Sequence, residues 1–193
     1  MLDLLDTQKN FLIPHIIKGG IAVDFTAGTG GDTLWLSQMV GADGHVYAFD
    51  IQQAALERTK TRLVAAGADE NYTLILDSHA NVGNYVKESF CVGMFNLGYL
   101  PGSDHKITTM RESTLAALTA ALDLLATDGA LLVAVYPGHE EGELEGKMIN
   151  EYFSALPKKT FLIARFQIIN SPNSPFFFLV EKGSRWPSPA KTN

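Results

Sequence analysis

The stretch Ala22-Val23-Asp24-Phe25-Thr26-Ala27-Gly28-Thr29-Gly30-Gly31-Asp32-Thr33 decides the reading of the chain, because an apolar run there stops at an acid and breaks into glycines. Ile21, Ala22 and Val23 have the unbroken apolar character of a strand buried on both faces, and Leu34, Trp35, Leu36, Met39 and Val40 recur at helical spacing after it. Between strand and helix lies a loop almost without side chains. Gly28, Gly30 and Gly31 allow positive φ and close backbone approach, and the following helix turns unpaired N–H groups and a partial positive charge toward an acceptor-rich ligand. Glycines after a strand also make plain tight turns, so a second feature has to separate the two readings. The run His45-Val46-Tyr47-Ala48-Phe49-Asp50 supplies it, as a second strand ending in a carboxylate about twenty residues beyond the last glycines, where Rossmann-like sites hold an acid for a ribose diol.

The chain has 193 residues, 46% of them hydrophobic and 19% charged, which suits one domain with a full core. Cys91 is the single cysteine, which excludes an internal disulfide, and its place at the head of an apolar run suits a buried structural thiol. No basic region followed by a long apolar stretch opens the chain, and no segment approaches about 18 uninterrupted apolar residues, so the expectation is a cytoplasmic protein without a membrane span. The formal net charge of −6 does not favour nucleic acid as a whole-molecule property. Lys9, Lys18, Lys106, Arg111, Lys158, Lys159, Arg165, Lys182 and Arg185 are the cations available for a local patch; scattered solvated charge is the alternative reading of each.

Residues 2–17 carry an apolar pattern interrupted by Pro14, which predicts one or two short amphipathic helices within an N-terminal segment 1–19. After Asp50, Ala55, Leu56, Thr59, Leu63 and Val64 form a helical stripe over 52–66 that stops at Gly67. A third strand over 72–76 ends in Asp77-Ser78-His79. A short helix over 82–88 leads to a fourth strand over 90–95, and the longest helical pattern covers 108–126, closed by Asp128-Gly129. The fifth strand covers 130–136, a helix runs from Glu140 to about Leu156, and 161–169 and 175–181 form a hairpin around Asn170-Ser171-Pro172-Asn173-Ser174. The tail 184–193 is expected to fray. Strands alternating with helices and closed by a hairpin predict an α/β fold with a seven-stranded, mostly parallel sheet, an antiparallel C-terminal hairpin and helices on both faces. This pattern resembles the class I methyltransferase (Rossmann-like) fold.

The fourth strand is expected to end in Phe95-Asn96-Leu97-Gly98-Tyr99-Leu100-Pro101-Gly102-Ser103-Asp104, which looks like the amine-methylating motif Asn-Pro-Pro-Tyr with Leu97-Gly98 in the middle positions. An Asn amide oxygen can accept hydrogen bonds from an amine and aim its lone pair, while an aromatic ring stacks on the attached base. Asn96 and Tyr99 are therefore the positioning candidates, against the plainer reading in which Asn96 and Gly98 turn the chain and Tyr99 packs. Asp104 in the same loop is a candidate base, with helix capping as its alternative, and His139 after the fifth strand is a second candidate base.

With these motifs the chain resembles the rRNA methylase family of class I methyltransferases, which includes the tRNA 5-aminomethyl-2-thiouridine methyltransferases of the wobble position. The resemblance runs from about Gly20 to Lys182 and rests on Asp24 to Thr33, Phe49-Asp50-Ile51-Gln52, Ser78-His79, Phe95 to Gly102, Tyr136-Pro137-Gly138-His139 and the closing hairpin. It implies S-adenosylmethionine as methyl donor and the exocyclic aminomethyl group of a uridine in a tRNA anticodon loop as acceptor. It further implies cofactor contacts from Asp24, Thr26, Ala27, Gly28, Gly30, Asp32 and Thr33, from Asp50, Ile51 and Gln52, from Asp77, Ser78 and His79, and from Asn96, with no metal. In this reading Asp50 holds the ribose hydroxyls, Asp77 to His79 lie near the adenine, and Asp24 offsets the sulfonium or orients the methionine amine. The chain departs from the expected Gly-Gly-Asp-Lys loop at Gly102-Ser103-Asp104-His105, and has Thr26-Ala27 where many methyltransferases have a further glycine. A homodimer would assemble a broader basic surface. The rival readings are methylation of rRNA or another amine, a nicotinamide-dependent Rossmann oxidoreductase, whose third fingerprint glycine would fall at Thr33, and a non-catalytic RNA-binding domain.

Overall fold

The computed structural model describes residues 4–97, 111–138, 140–171 and 173–183. Among the described residues seven strands form one sheet, β1 (Ile21–Asp24), β2 (His45–Asp50), β3 (Tyr72–Leu76), β4 (Phe90–Leu97), β5 (Leu125–Val135), β6 (Phe161–Phe166) and β7 (Phe176–Lys182), in the spatial order β3-β2-β1-β4-β5-β7-β6. β1 to β5 are parallel to one another, and β7 runs antiparallel between β5 and β6. The strand order reverses at β1, so the carboxyl ends of β1 and β4 flank the crevice where an open α/β sheet receives its ligand.

Period-2 alternation sends successive strand residues to two cores. Val23, Phe25, Leu131, Val133 and Val135 pack on one face with α4 (Val82–Tyr85), α5 (Arg111–Leu124) and α6 (Glu140–Ser154). Ala22, Ala130, Leu132 and Ala134 pack on the other with Leu12 and with Leu36 and Val40 of α2 (Gly31–Val40), while Leu56 of α3 (Gln53–Ala65) covers Ala27 and Ala48. The expected sheet with helices on both faces is what forms. Under the crevice, the Phe25 and Phe95 rings stack at 4.0 Å between centroids and 7° between planes, joining the ends of β1 and β4. Both rings are buried, and burial of a side chain of this size contributes about 1.5–3 kcal/mol.

The N-terminal segment is a single helical turn, α1 (Leu4–Gln8), followed by two 3₁₀ turns, Lys9–Phe11 and Ile13–His15, with Pro14 at the start of the second. It is fastened at both ends of its second half. Phe11 packs on Phe166 at 4.5 Å between centroids, and His15 donates from Nδ1 to the Asp128 carbonyl at 2.7 Å.

Several boundaries differ from the sequence expectation. β4 runs two residues further, to Leu97, because Asn96 and Leu97 pair with Ala134 and Val135 of β5; Asn96 is a strand residue and not part of a turn. β5 begins earlier, at Leu125, which pairs with Phe90 before a register shift that Asp128 accommodates at φ 64°. α5 ends at Leu124 because the Lys182 ammonium takes the carbonyls of Leu122 and Leu125 at 2.8 and 2.7 Å, a cationic cap that propensity alone does not reveal. α4 is one turn long, and β6 stops at Phe166, after which Ser171 N–H closes a turn on Ile168 O at 3.2 Å. Cys91 is buried and its thiol donates to Ile21 O at 3.2 Å. Among the described residues no helix is long and apolar enough to cross a membrane.

Candidate active site

The glycine loop is held from beneath by one buried acid. Asp24 has no exposed surface; its Oδ1 accepts from Thr26 N–H at 3.0 Å and its Oδ2 from the Thr33 hydroxyl at 2.6 Å. Burial first, and the charge of Asp32 second, push its carboxyl up to about 7. In this structure Asp24 lies under the loop and fastens β1 to the first turn of α2.

Gly28 and Gly30 take φ of 55° and 79°, the left-handed region that side chains resist. A Cβ on Gly30 would stand 2.7 Å from the Thr59 backbone Cα, so the loop lies flush against α3. Ala27 N–H donates to Phe49 O at 2.8 Å, and Gly28 N–H donates to Asp50 Oδ2 at 3.0 Å. Asp50 Oδ1 accepts from Gln52 N–H at 2.9 Å, which places this carboxylate at the rim between loop and α3. Each oxygen keeps a further lone pair for a hydroxyl. Beside it Ile51 is 56% exposed, an apolar side chain left uncovered next to an acid.

The third strand's end is arranged differently. Asp77 turns toward its own short helix and accepts from Ser78 N–H, Asn81 Nδ2 and the Tyr85 hydroxyl, which hold it below the usual carboxylate range. Ser78 caps the next turn by accepting from Ala80 N–H at 3.2 Å. His79 is 93% buried against Phe95, and its Nδ1 donates to Phe25 O at 3.1 Å. Burial lowers its pKa, so the ring is neutral at pH 7 and Nε2 is a bare acceptor, buried without a partner.

Across the crevice, Asn96 is gripped from three directions. Its N–H donates to the Thr26 hydroxyl at 2.7 Å, its Nδ2 donates to Asp32 Oδ2, and its Oδ1 accepts from the Tyr136 hydroxyl at 3.3 Å. Asp32 is paired through its other oxygen with Lys9 Nζ at 2.6 Å, and Lys9 also lies over the Trp35 ring at 5.5 Å. The structure thus brings together Asp24, Thr26, Ala27, Gly28, Gly30, Asp32, Thr33, Asp50, Gln52 and Asn96 in one bonded array. Asp77 and Ser78 bond among themselves, and His79 joins the array through Phe25. Tyr99, Asp104 and His139 lie outside the described residues.

Two members of the array were not singled out in the sequence. Lys9 was grouped with scattered surface cations, and no local pattern links it to a loop so far along the chain. Tyr136 stands in the Tyr136-Pro137-Gly138-His139 stretch, whose sequence points to the histidine as the candidate base.

Residues 46–182 match the family model described as "Putative rRNA methylase". The chain is 38% identical over 195 residues to the chloroplastic tRNA (mnm(5)s(2)U34)-methyltransferase of Arabidopsis thaliana, a match covering 93% of this chain and 71% of that protein. A crystal structure described as a putative rRNA methylase from Clostridium thermocellum superposes with a TM-score of 0.91 at 35% identity, over 94% of this chain and 98% of that one. A putative methyltransferase from Streptococcus mutans, solved in complex with SAH, superposes with a TM-score of 0.85 at 33% identity, over 94% and 99% of the two chains.

Proposed function

Because the chain belongs to the rRNA methylase family and is an S-adenosylmethionine-dependent methyltransferase, we propose that it methylates the nitrogen of a 5-aminomethyl group on 2-thiouridine at the tRNA wobble position. Family membership sets aside the nicotinamide oxidoreductase and the non-catalytic RNA-binding domain. The observation that carries the substrate is the 38% identity to a wobble-uridine methyltransferase along nearly the whole chain. The placement of Asn96 beside the glycine loop supports it.

The residues present fit the cofactor. Asp50 offers acceptors to a diol, Ile51 offers an uncovered apolar surface to a base, and the buried Nε2 of His79 is an acceptor lacking its donor. S-adenosylmethionine supplies a methyl carbon on a sulfonium, whose C–S bond breaks as the acceptor's N–C bond forms. The chain's task is positioning, which in line displacement accounts for much of the rate. Asn96 Oδ1 accepts an N–H of the neutral amine and aims its lone pair across the crevice. From the sequence motif, Tyr99 stacks on the base, and Asp104 or His139 takes the amine proton. A wobble base sits in a single-stranded loop and enters a pocket without the cost of opening a duplex.

We read the chain as one methyltransferase domain acting in the cytoplasm. β6 pairs with β7 alone among the described residues, and such an edge suits a second copy in a homodimer. Nucleoside mass analysis of tRNA from cells with and without the protein tests the substrate. Loss of the methylated wobble uridine, with accumulation of its aminomethyl precursor, is expected. An unchanged wobble profile rejects the tRNA assignment in favour of rRNA or another amine.

A further inference from the structure

The Asn96 amide has two ends, and which one faces the acceptor decides what the site accepts. A carboxylate only accepts hydrogen bonds, so the end of Asn96 that meets Asp32 Oδ2 is the NH₂ end. The carbonyl end then points away from α2, on the side of the Tyr136 hydroxyl. That contact, at 3.3 Å, leaves Oδ1 a second lone pair.

Asp32 itself is not free to swing. Its two oxygens are divided, Oδ2 to Asn96 and Oδ1 to the Lys9 ammonium at 2.6 Å. Lys9 begins the 3₁₀ turn Lys9–Phe11, whose Phe11 ring packs at 4.5 Å on Phe166 and 5.7 Å on Phe177, and Leu12 behind it is fully buried. The side chains of Lys9 and Asp32 are 27% and 18% exposed, partly withdrawn from water, where a charge-assisted contact directs geometry more than at an open surface. A segment outside the sheet therefore reaches Asp32 of α2 and acts through it on Asn96, the polar side chain at the carboxyl end of β4.

We propose that Lys9 and Asp32 are positioning residues that fix the Asn96 amide with its carbonyl toward the acceptor, so that the site takes a group donating an N–H and rejects one offering only a lone pair. This rests on the reading of Asn96 as the acceptor-side contact. With the amide reversed, the NH₂ end would meet the amine and donate to its lone pair, drawing it toward Asn96 and away from the methyl carbon. Without Lys9 the Asp32 carboxylate loses its second anchor and Asn96 samples both orientations.

Two measurements test this. In ¹⁵N-labelled protein, with the Asn96 side-chain amide assigned by its absence in Asn96→Ala, one Nδ2 proton is expected downfield and protected from exchange, and that signature is expected to move toward ordinary values in Lys9→Met. In methyl transfer to RNA bearing the aminomethyl group, Lys9→Met is expected to lower kcat about tenfold with affinity for S-adenosylhomocysteine unchanged within about twofold, and Lys9→Arg to recover most of the loss. Ordinary, rapidly exchanging Asn96 amide protons in the wild-type protein overturn the proposal, whatever the substrate. So does a Lys9→Met protein with unaltered kcat, or one whose cofactor affinity falls in step with kcat, since Lys9 would then support the loop and not the acceptor. A wild-type protein that shows the amide signature but does not methylate this RNA keeps the orientation and overturns both the substrate reading and the acceptor preference built on it.

Discussion

The two sides of the crevice are built in different ways. On the side of β1 and β2, the acids that shape the loop bond within a short span of chain: Asp24 to residues two and nine positions on, Asp50 to a residue two positions on and to Gly28, 22 positions back. Most of these partners are backbone N–H groups, which no substitution removes. On the side of β4 and β5, Asn96 is held by side chains 64 and 40 positions away and by a hydroxyl 70 positions away. The proposed donor side is thus set within the unit from β1 to α3, and the proposed acceptor side exists only once β4 and β5 have joined it. Single side-chain changes should therefore damage chemistry on the acceptor side with the fold intact, and damage the fold when they enter the loop.

The largest expected effect is on the acceptor side. In the proposed reading Asn96→Ala removes the acceptor for the amine, and kcat for methyl transfer is expected to fall by about 10²–10³ with near-native thermal stability, read by single-turnover kinetics and a melting curve. A comparable loss of stability would erase the distinction between the two sides. Gly30→Ala tests the loop: a side chain at φ 79°, with its Cβ 2.7 Å from the Thr59 backbone, should cost about 2 kcal/mol or more of unfolding free energy, measured in urea. An undisturbed midpoint would show that the loop is not pressed against α3.

Asp24→Asn sharpens the comparison through pH. A carboxyl raised from 3.8 to about 7 binds its proton more tightly in the folded state than in the unfolded chain. Its contribution is present in full below the unfolded pKa and is lost as pH rises from 3.8 to about 7. The variant should fall in melting temperature less steeply than the wild type across that window, by a few degrees. Parallel curves would mean that Asp24 titrates as an ordinary surface acid. The smallest effect is expected at Tyr136→Phe. Its hydroxyl reaches Asn96 only at 3.3 Å, so kcat should drop less than about tenfold. A loss equal to that of Asn96→Ala would move Tyr136 into the reacting centre.

The same contrast explains what could be read in advance. Asp24, Gly28, Gly30 and Asp50 announce themselves because strand, glycine turn and acid follow one another in sequence, and β2 and β3 have the expected limits because each is a single apolar run between polar ends. Asn96 was recognised, but its place inside β4 depends on pairing with Ala134, which no local signal records. An acid at the end of β1 is visible in the sequence, whereas the burial of Asp24 follows from α2 folding back over it. Lys9 had no signal at all. Its neighbours Phe11 and Leu12 read only as an amphipathic stripe, and the ion pair appears once that stripe docks on β7.

The central claim is that the carboxyl ends of β1, β2 and β3 form the cofactor site, fixed by Asp50. Calorimetric titration of S-adenosylhomocysteine into the wild-type protein and into Asp50→Ala tests it most directly. The account predicts saturable one-to-one binding to the wild type, weakened by about tenfold or more in the variant. Absence of heat from the folded wild type, or equal affinity in the two proteins, would contradict it.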